Sequence, residues 1–298
     1  MLAVSALLMM AVQSRALPTE AEVLRALERL EKDPADAQAN TVCGKFKTWV
    51  LGDFGEGMAY LAKSSDRTLK ALAEHELDPA RAVTPDQKVS MGDEWVAATA
   101  KIPALRPFLH DRACEWYALA WPDLEGPRRE RLRERARSMS AAVPPGGPRK
   151  QLPTGWTTDL GAPVLDGTVA RTGSFSVRLP HGEPGSETYL KSVRVPATGK
   201  TVEYSAFVRT DGTTSPNDVF FINYLDRDET LVHAVGQKIQ ADLPFWNLVR
   251  AKEEIPKNAA YLLVGVAVRS KKGDVWIDDV SVKIDGKETL RNGSFEQK

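Results

Sequence analysis

Cysteine is nearly absent: Cys43 and Cys114 are the only two in 298 residues, and they form no CxxC pair and no zinc-ligand spacing. A disulfide framework and a cysteine-built metal centre are therefore excluded, and two core thiols are expected, although export would permit a bridge if the two lay close. Histidine is equally sparse. His75, His110, His181 and His233 are scattered and stand in no HExxH or triad-like setting. No GxSxG, phosphate-loop or dinucleotide glycine pattern occurs, so the recognisable catalytic signatures are missing and the chain reads as a non-enzyme. An excess of either charge is lacking too: 40 basic and 40 acidic residues cancel, leaving no net field to recruit nucleic acid or an anionic membrane. Past the N-terminus no apolar run is long enough to span a bilayer.

That N-terminus does hold a run. Leu2 to Val12 is unbroken apolar sequence of signal-peptide length, followed by Ser14-Arg15-Ala16 with small residues where a signal peptidase reads. No Lys or Arg precedes it. Residues 1–16 are expected to be a signal peptide, making the protein secreted, cell-surface or periplasmic. A packed amphipathic first helix is the alternative and would leave it cytoplasmic.

The remainder follows two periodicities, as a multidomain α plus β protein would, and its length suffices for two cores. From Thr19 to Ala142 apolar residues recur at three-and-four spacing, the pattern of helices. Glu20–Lys32 places Val23, Leu24, Leu27 and Leu30 on one face and stops at Asp33-Pro34. A second helix is expected from about Asp36 to Leu51, ended by Gly52. Asp66 caps a helix from Arg67 to His75, Thr84-Pro85-Asp86-Gln87 is an N-terminal capping signature, and Gly126-Pro127 opens an Arg-rich last helix. Residues 17–142 are thus expected to be helical. The Pro/Gly stretch within 143–152 is expected to be a linker.

From residue 153 to 298 the period becomes two. Ser174–Leu179, Tyr189–Val195, Val202–Arg209, Val219–Tyr224, Tyr261–Arg269 and Val275–Val282 read as strands separated by turn clusters. Short strands without intervening helices predict an antiparallel β-sandwich or jelly roll.

Both halves resemble known families. Gly44, Trp49, Gly52 and Phe54 are echoed by Gly92, Trp95, Ala113, Tyr117 and Ala120; the spacing Ala113-x3-Tyr117-x2-Ala120 resembles the second helix of a tetratricopeptide hairpin, with a generic helical-hairpin stack as the alternative. In the second half, Arg171-Thr172-Gly173-Ser174-Phe175-Ser176-Val177, the stretch Pro196 to Phe207, Trp246 with Ile255-Pro256, and Val275-Trp276-Ile277-Asp278-Asp279-Val280-Ser281-Val282 stand in a familiar order. Together they resemble the jelly-roll carbohydrate-binding modules of bacterial xylanases and endoglucanases, in the galactose-binding-like superfamily. Those modules begin with an Asn-Gly-x-Phe-Glu segment, which here is Asn292 to Glu296. A permuted module is expected, the late segment taking the first strand's place.

The resemblance implies a structural calcium held by Glu296 and Asp279, with Asp278 as an alternative and a carbonyl from the Gly173 turn. The opposing reading has Asp278 and Asp279 satisfying loop amides or facing solvent. It also implies a glycan partner, for which aromatic faces and planar polar groups are needed. Tyr224 and Asp226 share a face where a strand runs into a loop and are the preferred pair; Trp246, Trp156 and Asn247 complete the expected site. Tyr189, Tyr261, Phe245 and Trp276 are further aromatics, with Asn223 and Arg227 nearby in sequence, and any of these rings can equally be core. Phe245 and Trp246, being adjacent, should face opposite ways if extended. Asp226-Arg227-Asp228-Glu229 reads as a turn rather than an acid–base pair. The expected function is glycan recognition or surface interaction, with the helical half as scaffold or protein-docking region. A structural adhesion module without a sugar site is the alternative, and an accessory part of a glycoside hydrolase system with a diverged catalytic site is a third reading.

Overall fold

The computed structural model describes residues 17–140, 146–149, 152–181, 187–213, 215 and 217–296. The expected signal segment lies outside them, as do residues 141 and 142 and, of the expected linker, 143–145 and 150–151. Two compact units divide the chain, the first ending at Arg129 and the second starting at Glu130.

Helices α1 (Glu20–Lys32), α2 (Ala37–Trp49), α3 (Phe54–Leu61), α4 (Arg67–Leu77), α5 (Pro85–Ala98) and α6 (Arg106–Ala120) make the first unit, and α7 (Gly126–Ser140) begins in it. Their starts are chemically specified. Thr19 and Glu22 close a capping box at α1, Thr84 and Gln87 another at α5, and Asp36 and Asp66 accept amide hydrogens at α2 and α4, each satisfying donors that the first turn leaves orphaned. Neighbouring helices pack as hairpins, α2 on α3 and α5 on α6. The second hairpin is close because Gly92 faces Tyr117: a Cβ there would stand 2.3 Å from Cε1 of the ring. Cys43 and Cys114 are buried free thiols, as their helical positions imply.

The second unit is a sandwich of two antiparallel sheets. One runs β1 (Gly146–Arg149), β3 (Val164–Gly167), β4 (Ser176–Pro180), β12 (Asp274–Ile284), β7 (Thr201–Asp211), β10 (Asn247–Glu254). The other runs β2 (Trp156–Thr157), β5 (Thr188–Ser192), β11 (Tyr261–Val268), β8 (Val219–Leu225), β9 (Leu231–Lys238). Short β6 (Val195–Pro196) and β13 (Lys287–Glu288) flank β11 and β12. Alternate residues of each strand meet between the sheets: Val202, Tyr204, Ala206 and Val208 from β7, Phe220, Ile222 and Tyr224 from β8, and Leu262, Val264, Val266 and Val268 from β11. Period-two burial of this kind fixes register, because a one-residue slip would turn these side chains out to solvent.

Two expectations need correction, and one strand was not anticipated. Part of the expected linker is a strand: Gly146–Arg149 pairs antiparallel with β3. It lies at the sheet edge, where Pro148 need not supply a ladder donor. Strand β10, Asn247–Glu254, is absent from the strands expected, yet it pairs residue by residue with β7. Finally, Phe245 and Trp246 are both buried, at 1% and 7% exposure. They sit in a bend rather than a strand, so alternation does not apply to them.

The late segment closes the sandwich without becoming a strand. Val280 N–H donates to the Gly293 carbonyl at 2.9 Å and Thr289 N–H to that of Val282 at 2.8 Å, while Phe295 enters the core.

Candidate functional site

The residues expected to meet a ligand do not converge. Tyr224 is fully buried, stacked on His233 at 6.0 Å between centroids, and burial pushes its phenol far up. Trp156 is 6% exposed and donates its indole N–H to the Asn292 carbonyl at 3.0 Å. Trp246 is 7% exposed. Asn247 stands at the head of β10, beside Thr210, Ile239 and Val249. Asp226 is used by its own turn: Oδ1 accepts from the amides of Asp228 and Thr230, both at 2.9 Å. A stacking platform built from Tyr224, Trp156 and Trp246 is therefore withdrawn, since rings packed between sheets present no face to a sugar.

The four residues expected around calcium do converge. The loop before β4, the irregularity in β12 between Asp278 and Ser281, and the late turn meet at one corner. Gly173 makes this approach feasible with φ of 60°, because a Cβ there would stand 2.3 Å from Glu296 Oε1. Glu296 Oε1 accepts from the amides of Ser174 at 2.8 Å and Phe175 at 3.0 Å. Burial raises the Glu296 pKa, the two amides oppose this, and the nearby Asp279 adds to it. Asp278 is wholly buried, and its carboxylate accepts from the amides of Arg171 at 2.8 Å, Thr172 at 3.3 Å and Asp279 at 2.8 Å. Burial first, then the adjacent Asp279, push its pKa well above the ordinary carboxylate range.

As arranged, these groups do not fit calcium. That ion takes roughly six to eight hard oxygens with lone pairs to spare. Here both oxygens of Asp278 are committed to backbone amides. Asp279 Oδ1 and Oδ2 accept from the Thr172 hydroxyl at 2.7 and 2.9 Å, and Oδ2 also takes the Arg171 guanidinium at 2.5 Å. No group of three acids, histidines or cysteines among the described residues is placed to hold a metal.

A different surface has the features a ligand platform needs. On the outer face of the second sheet, Tyr189 lies opposite Ala267, half-exposed, and edge-on to Phe221 at 6.2 Å. Its hydroxyl is held by Arg269 Nη2 at 3.1 Å, and Arg269 Nε in turn donates to Glu187 at 2.7 Å. Hydrogen bonding to Glu187 is the main cause of a raised Tyr189 pKa, with burial second. Across the sheet Phe221 stands between Gly265 and Gly236, and Asn223 between Leu263 and Ala234. The Phe221 ring lies over Gly265, where a Cβ would stand 2.8 Å from its Cζ, and Asn223 makes no side-chain hydrogen bond among the described residues. Sequence reading named Tyr189 and Asn223 only in the wider set. The available signal was alternation in Thr188–Ser192, which sends Leu190 inward and Tyr189 outward.

Asp226 also borders a polar groove of about 550 Å³ at one end of the sandwich, with Thr198, Arg227, Asp228, Lys257 and Asn258. Among the described residues no aromatic side chain lines it. Among the described residues, no helix is long and apolar enough to cross a membrane.

No protein-family model and no curated protein matches the chain. Solved structures do. Tailspike protein 4 of bacteriophage CBA120, in its enzymatically active domain, is similar at 18% identity and a TM-score of 0.39, over 49% of this chain and 22% of that one. The Clostridium thermocellum endo-1,4-β-D-xylanase 10B structure, comprising CBM22-1 and GH10 modules complexed with xylohexaose, is similar at 19% identity and a TM-score of 0.37, over 49% of this chain and 29% of that one. The CBM22-1 xylan-binding domain of Paenibacillus barcinonensis is similar at 18% identity and a TM-score of 0.33, over 48% of this chain and 96% of that one. The matched stretch thus spans under a third of the first two proteins.

Proposed function

We propose that the sandwich binds a glycan across the outer face of its β5–β11–β8–β9 sheet, with Tyr189 as the stacking ring, and that the helical unit serves as scaffold. The observation carrying this reading is the Tyr189 arrangement: a half-exposed aromatic on the outer face of the sheet, oriented by Arg269 and by Phe221. Pyranose rings bind through apolar faces stacked on aromatics, with amides and charged groups taking the hydroxyls. Asn223 supplies such an amide on the same face, whereas Lys191 there is paired with Asp159. Binding this open gains few contacts against immobilisation costs, so a dissociation constant on the order of micromolar to millimolar is expected.

Affinity electrophoresis of the full-length protein through gels containing xylan, mannan, galactan or mixed-linkage glucan tests the proposal. Retention by at least one polysaccharide is expected, weakened roughly tenfold, about 1.4 kcal/mol, by Tyr189→Ala and less by Asn223→Ala. Undiminished retention of both variants would move the site elsewhere. The burial of Tyr224, Trp156 and Trp246 favours a second reading, a structural adhesion module. Folded protein retained by none of these gels would establish that reading over the first.

A further inference from the structure

The corner where the late segment closes the sandwich contains two carboxylates that reach the same loop, Asp279 through the Thr172 hydroxyl and Glu296 through the amides of Ser174 and Phe175. Such a pair needs a positive counterpart. Arg171 stands in that place. Its Nη1 is 2.5 Å from Asp279 Oδ2, the side chains being 14% and 21% exposed. Its guanidinium carbon lies 3.4 Å from the centroid of the Phe207 ring. Phe207 is on the outer face of β7, opposite Asp278 of β12. The ring therefore supports the guanidinium beside the acidic corner. Arginine suits this position: it is always charged, weakly hydrated and planar, so it pairs with a carboxylate and lies against an aromatic at once. The backbone N–H of the same residue donates to Asp278 at 2.8 Å, and the neighbouring Thr172 hydroxyl donates to Asp279. One loop dipeptide thus serves both aspartates.

We infer that Arg171 is the resident counter-cation of Asp279 at this corner, performing with a guanidinium the charge neutralisation that the resemblance assigns to calcium. The inference is independent of glycan binding. It follows that the sandwich closes without a metal, and that the arginine and Asp279 act as one electrostatic unit.

Thermal unfolding of the full-length protein, in chelator and in calcium on the order of millimolar, is the first test. The midpoint should be the same in both, and calorimetric titration with calcium alone should give no binding heat. A midpoint several degrees higher in calcium, with the rise abolished by Glu296→Gln, would make the metal the resident cation and overturn the inference. A double-mutant cycle is the second test, run in chelator. Arg171→Met should lower the midpoint by several degrees in the wild-type background and by much less when Asp279 is already asparagine. Strictly additive losses would mean that Arg171 serves only to pack against Phe207, and would also overturn it. Arg171→Lys, which keeps the charge, covers the case in which the methionine variant fails to fold: it should retain most of the coupling to Asp279.

Discussion

Phe295 lies edge-on to Trp156, their ring centroids 5.0 Å apart at an interplanar angle of 61°. The contact joins the start of the sandwich to its last described turn, and the Trp156 indole N–H donates to the Asn292 carbonyl beside it. Asn292 repays this through its side chain, whose Nδ2 donates to the Thr154 carbonyl at 3.0 Å.

From that pairing comes the first prediction. Phe295 is 1% exposed and part of the principal core, so Phe295→Ala should lower stability by about 3–5 kcal/mol. Urea denaturation monitored by tryptophan fluorescence would measure it. A midpoint equal to wild type would show that the late turn is no part of the cooperative unit.

A second prediction concerns acid. Asp166 is 3% exposed, and accepts from the Thr168 amide and hydroxyl at 2.8 and 2.6 Å and from the Trp276 indole at 2.9 Å. Burial pushes its pKa up, but the Thr168 and Trp276 hydrogen bonds and Arg178 outweigh this and bring it below the ordinary value. A depressed folded pKa contributes stability above the unfolded pKa of about 3.9, and loses it as pH falls through the folded value. Stability measured from about pH 6 down through that range should therefore fall less steeply in Asp166→Asn than in wild type. Identical acid slopes would remove Asp166 from the acid response.

The third prediction uses the buried tyrosine. The Tyr224 hydroxyl has no hydrogen-bond partner among the described residues, although its ring is fully buried. A lone buried polar group costs about 1–3 kcal/mol. Tyr224→Phe should consequently be neutral or stabilising by up to about 1 kcal/mol, with glycan retention unchanged. Loss of retention with stability intact would restore Tyr224 as a ligand contact.

Much of the architecture was legible in the residues themselves. Capping at Thr19, Asp36, Asp66 and Thr84 needs only a short side chain and the next three amides, so the helix starts were readable locally. Alternation in β7, β8, β11 and β12 was readable for the same reason, because a strand with one buried face writes a period of two. Strand β10 was not. Its Arg250, Lys252 and Glu254 serve a sheet-edge position, where charge guards against aggregation, and that composition imitates a helix.

The sequence by itself determined a helical unit and a β-sandwich, whereas the grouping of Asp278, Asp279 and Glu296 near Gly173 was expected only from a resemblance. Which aromatics are core was decided only by tertiary structure. Tyr224 and Tyr189 are the same residue type on strands of one sheet, yet one packs between the sheets and the other stands outside, a difference that depends on which side receives the second sheet. The role of Arg171 was likewise decided in three dimensions. Its partner is 108 positions away, and the two meet at the irregularity in β12, where Asp279 has a φ of 47°.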